Sequence, residues 1–63
     1  MSESDLKMEL YQLSERTRRL LDAAHDMGIY DAAGALRAAG ASVFLALTAV
    51  VRSKAERMQE ALS

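Results

Sequence analysis

The chain has 63 residues, with eight Lys and Arg against nine Asp and Glu, one histidine, no cysteine and no proline. That inventory excludes a disulfide framework and a thiolate metal site, a structural zinc site, and the net field that draws in nucleic acid or anionic lipid. A chain this short buries only about 60% of the surface its unfolded form exposes, so a lone copy is marginal and oligomerisation is the remaining stabilising device.

The opening Met1-Ser2-Glu3-Ser4-Asp5 is acidic and polar, unlike the basic start of a signal peptide. It has the chemistry of a helix start. Ser2 or Ser4 can serve as N-cap, and Asp5 falls in the first turn, where the macrodipole favours an acid. No stretch alternates apolar with polar residues as a strand does, so helix is the pattern throughout.

A first helix is predicted over about residues 4–27. Leu6, Leu10, Leu13, Thr17, Leu20, Ala24 and Met27 recur at spacings of four and three, a seam for one partner helix that Leu21 widens. Gly28 stops the helix because glycine takes the left-handed conformation without a Cβ penalty. Asp31 is the expected N-cap of the next helix, with Tyr30 as half of a hydrophobic staple. A turn over 28–31 is short enough to make the two helices antiparallel neighbours.

The second helix is predicted over about 32–62. Its seam reads Leu36, Gly40, Val43, Leu47, Val50, then Lys54 and Ala61. A second row beside it reads Phe44, Thr48, Val51, Ala55, Met58, Leu62. Two rows make a stripe wide enough for two neighbours, as in a four-helix bundle. The first helix takes one row, which leaves Phe44, Val51, Met58 and Leu62 as the expected oligomer interface. The repeat Ala32-Ala33-Gly34-Ala35, Ala38-Ala39-Gly40-Ala41 has three readings: close helix approach through small residues, a break near 40–42 with Ser42 capping a third helix, or the floor of a ligand site. Between Arg37 and Arg52 lie fourteen uncharged residues, short of the ~20 that a spanning helix needs. Identical copies, rather than a membrane, are therefore expected to cover them.

Charge placement fits the hairpin. Folding back at residue 29 sets Glu3, Asp5 and Glu9 beside Arg52, Lys54 and Arg57, and Asp22 and Asp26 near Arg37. Exposed pairs of this kind contribute about 0.2–1 kcal/mol each and select register more than they stabilise.

Catalytic chemistry finds no constellation. Ser14 and His25 are three helical turns apart, about 16 Å at 1.5 Å per residue, far beyond hydrogen-bond reach. His25 beside Asp22 and Asp26 is a weak metal set at best, so no metal and no cofactor is expected. Arg16, Arg18 and Arg19 are interleaved with Glu15, Asp22 and Asp26 at spacings that pair them locally. Doubled by symmetry and joined by Arg37, they could still form a modest basic patch. A further edge, Lys7, Tyr11, Ser14, Arg18, Leu21 and His25, combines the residue types that most often anchor interfaces.

The sequence thus predicts an all-α fold: a single-domain antiparallel helical hairpin, self-associating into a dimeric four-helix bundle or a higher helical oligomer. Binding is expected rather than catalysis, by a non-enzymatic cytoplasmic module acting as adaptor, inhibitor or regulator of a larger protein through Tyr11, Arg18 and His25. The alternatives are a dimeric binder of structured RNA using Arg16, Arg18, Arg19 and Arg37, or sequestration of a small anionic ligand in an intersubunit groove.

Overall fold

In a computed structural model describing residues 1–62, the chain folds into two α-helices, α1 (Glu3–Asp26) and α2 (Tyr30–Leu62). Ser2 is the N-cap of α1. Its hydroxyl accepts a hydrogen bond from the Asp5 N–H at 3.1 Å, and the Asp5 carboxylate accepts one from the Ser2 N–H at 3.3 Å. This reciprocal capping box satisfies donors that the first turn leaves without intrahelical partners.

Gly28, with φ of 74°, ends α1. Its N–H donates to the His25 carbonyl at 3.0 Å, and the Ile29 N–H donates to the Ala24 carbonyl at 2.9 Å, the paired bonds of a Schellman motif. The chain re-enters a helix at once, because the Ile29 carbonyl already accepts from the Ala33 N–H at 3.0 Å. The expected N-cap is thereby corrected. Asp31 lies inside the first turn of α2, where its charge favours the helix dipole without capping it. Only Met27, Gly28 and Ile29 connect the helices. Further on, α2 runs unbroken through Gly40, Ala41 and Ser42, so the break considered there does not occur.

The line of contact between the helices is narrow. On α1 it follows Lys7, Leu10, Ser14, Thr17, Leu21 and Ala24; on α2 it follows Ala33, Leu36, Gly40, Val43, Leu47 and Val50. A Cβ added at Gly40 would meet the Thr17 Cγ2 at 3.8 Å, which fixes the level at which the helices face each other. At the open end, Arg57 donates to the Glu3 carboxylate in an exposed ion pair, one of the pairings expected from charge placement. The last turns of α2 extend past the start of α1.

One expectation is overturned here. Leu10, Thr17 and Ala24 do face α2, but Leu6, Leu13, Leu20 and Met27 are turned away and are 40%, 45%, 52% and 72% exposed. In the half near the turn, Thr17 and Ala24 meet an α2 line that includes Ala33 and Gly40, and an approach through small side chains leaves little room between the axes for a leucine row; toward the open end the α2 line is Val43, Leu47 and Val50. Buried positions are consequently few. Thr17, Ala24, Ala33 and Leu47 reach burial, and of these only Leu47 is a large apolar side chain.

Candidate interaction faces

Two clefts flank the helix contact and define opposite faces of the hairpin. The first is lined by Leu6 of α1 with Ala49, Val50 and Ser53 of α2. The second is lined by Ser4 and Lys7 of α1 with Val51 and Lys54 of α2. Residues seven apart drift by only about 20° per heptad, so the row that starts at each cleft turns slowly around its helix toward the turn. The first face therefore carries Leu6, Leu13, Leu20 and Met27 beside Ala32, Ala39, Ala46 and Ser53. The second carries Ser4, Tyr11, Arg18 and His25 beside Tyr30, Arg37, Phe44, Val51 and Met58. The rings of His25 and Tyr30 confirm this pairing of rows, with centroids 5.5 Å apart and planes at 74°.

The first face is a strip of leucines next to a strip of alanines. No charged side chain interrupts either row as far as Ser53. The second face is mixed. Tyr11, Tyr30, Phe44, Val51 and Met58 are 51%, 66%, 63%, 47% and 59% exposed, and two guanidinium groups, Arg18 and Arg37, project among them. The edge singled out from sequence is split by the fold. Lys7, Ser14 and Leu21 turn half inward against α2, whereas Tyr11, Arg18 and His25 stand outward.

Two sets of residues given different roles in the sequence therefore share a face. Tyr11, Arg18 and His25, expected to meet a partner, lie on the same face as Phe44, Val51 and Met58, expected to meet a second copy. Leu62, also expected at that interface, lies at the far end of α2 beyond the start of α1 and is 88% exposed. The arginines do not converge. Arg16 and Arg19 line a shallow outer depression with Tyr11, Gln12 and Glu15, while Arg18 and Arg37 sit on the mixed face. Among the described residues no ion pair joins Arg16, Arg18, Arg19 or Arg37 to an acid, so the local pairing expected of them is not formed. Asp22, His25 and Asp26 do not gather into a metal-holding group among the described residues.

The leucine row is what sequence reasoning misplaced. Its signal was present as an unbroken seven-residue repeat, Leu6, Leu13, Leu20, Met27. What the repeat lacks is any mark of which neighbour it meets. α2 is also long and apolar enough by length and composition to cross a membrane, and little of its most apolar stretch is buried within the hairpin. Compared with known proteins, the chain matches no family model, no curated protein and no solved structure.

Proposed function

We propose that this hairpin is a non-enzymatic interaction module that self-associates and displays its mixed face to a larger protein, as an adaptor, inhibitor or regulator. The observation that carries this reading is the composition of that face. Tyrosine and arginine dominate binding hot spots, and Tyr11, Tyr30, Arg18 and Arg37 stand exposed on the same side of the helix pair as Phe44. A backbone already fixed in helices has little freedom left to lose on binding, which favours affinity. A soluble setting is part of the proposal. α1 lies along α2 and brings ten charged residues with it, and a bilayer closing around α2 would have to accommodate them at high cost.

The nucleic-acid reading has less support, because Arg16 and Arg19 point away from the side that carries Arg18 and Arg37. A sequestering groove for an anion would likewise need cations that converge on it.

Affinity capture from the native host tests the proposal when run with two baits, the natural chain and a Tyr11→Ser/Phe44→Ser double variant. The natural chain is expected to retain one stoichiometric protein partner that the variant loses, while the variant's helical circular dichroism is unchanged. Recovery of the bait alone, or equal recovery by both baits, contradicts the assignment.

A further inference from the structure

We infer that the leucine–alanine face is covered by a second copy of this chain, related by a two-fold axis parallel to the helices, so that the leucine row of each copy lies in the alanine row of the other. This inference rests on the reading that the chain self-associates, and it names the face that does so.

Area supports an occupant of this size. A compact monomer of 6.9 kDa exposes roughly 4,000 Å² by mass scaling, whereas the hairpin exposes 5138 Å². The excess, on the order of 1,100 Å² over the whole rod, leaves room for the ~800 Å² that each partner gives up in a standard stable interface. Chemistry then selects the face. Burying Arg18 and Arg37 against identical guanidinium groups would strand charge without a counter-ion. The leucine–alanine face carries no such penalty.

Shape selects the axis. The level set by Thr17 and Gly40 places Leu6 beside Ser53, Leu13 beside Ala46, Leu20 beside Ala39 and Met27 beside Ala32. A two-fold parallel to the helices keeps those levels and sets each large side chain of one copy against a small one of the other, giving knobs that fit holes in every layer. Turning the second copy end for end would instead stack leucine on leucine and alanine on alanine. It would also bring Arg16, on the rim between Leu13 and Leu20, against its own counterpart near the axis.

The chain has no cysteine among its residues, so single thiols can be placed at will. Leu20→Cys and Ala39→Cys variants, prepared separately, mixed and oxidised, are expected to give a mixed disulfide dimer several-fold in excess of either homodimer. Ala46→Trp, at a position exposed in the hairpin, should block the leucine of the second copy and raise the dimer dissociation constant at least tenfold. Phe44→Trp on the other face should leave it within twofold. Preferential trapping of Leu13→Cys with Leu20→Cys would overturn the axis. A dimer that traps through Phe44→Cys and tolerates Ala46→Trp would overturn the face while leaving self-association intact. A monomer by light scattering at every concentration would remove self-association itself.

Discussion

The three glycines do different things, and composition alone does not separate them. Gly28 holds a positive φ that a side chain resists, so Gly28→Ala is expected to destabilise the protein by about 1 kcal/mol. Gly34 has no neighbour within 4 Å of a built Cβ, and at Gly40 the nearest atom is the Thr17 methyl at 3.8 Å, an ordinary contact. Gly34→Ala and Gly40→Ala should each stabilise by up to about 1 kcal/mol, because an alanine loses less backbone freedom in a helix. Thermal melts of the three variants check the signs; a loss of stability at Gly40→Ala would show a closer helix approach than the structure describes. The stop at Gly28 was legible because it follows from one residue's own conformational preference, and the cap was legible only as a choice between Ser2 and Ser4. Asp31 was not, since the Schellman bond from Ile29 to Ala24 decides where the next helix begins, and that bond spans the turn rather than belonging to Asp31.

At the scale of the element, two helices and their antiparallel course could be read from periodicity, and the rotation of α1 could not. Leu10, Thr17 and Ala24 form the centre of an apolar stripe with Leu6, Leu13 and Leu20 on one flank and Lys7, Ser14 and Leu21 on the other. Period alone treats a leucine flank as core. The actual contact is a single α2 line, Ala33, Leu36, Gly40, Val43, Leu47 and Val50, which meets one row of α1 and not a second. Lys7 tolerates its half-buried place because its aliphatic stem packs while its ammonium reaches water. On α2 the contact residue to test is Leu47, 9% exposed, against Leu45, 67% exposed on the back of the same helix. Leu47→Asp should abolish folding and assembly together, since an unpaired carboxylate there is destabilising by on the order of 3 kcal/mol or more. Leu45→Asp should be tolerated. Far-ultraviolet circular dichroism distinguishes the two, and a stable helical Leu47→Asp protein would contradict the packing of α2 on α1.

For the whole molecule, the hairpin is a rod rather than a globule. Its radius of gyration is 15.3 Å, against about 11 Å for a compact domain of this length, and among the described residues no side chain is fully enclosed. The apolar area of Phe44 and Val51 was foreseeable as surplus, because α2 carries a wider stripe than one neighbour fills; that of Leu13 and Leu20 was not, because they read as part of the seam against α2. How the exposed surface divides into a leucine–alanine face and a mixed one was not legible either, because it depends on the rotation of α1. Size-exclusion chromatography with light scattering across a dilution series tests the central claim, that one copy has more greasy helix than it can shelter, most directly. The account predicts a species of twice the 6.9 kDa chain mass, losing helix and melting at lower temperature as it is diluted. A particle of single-chain mass that stays helical and melts cooperatively, independent of concentration, would contradict it.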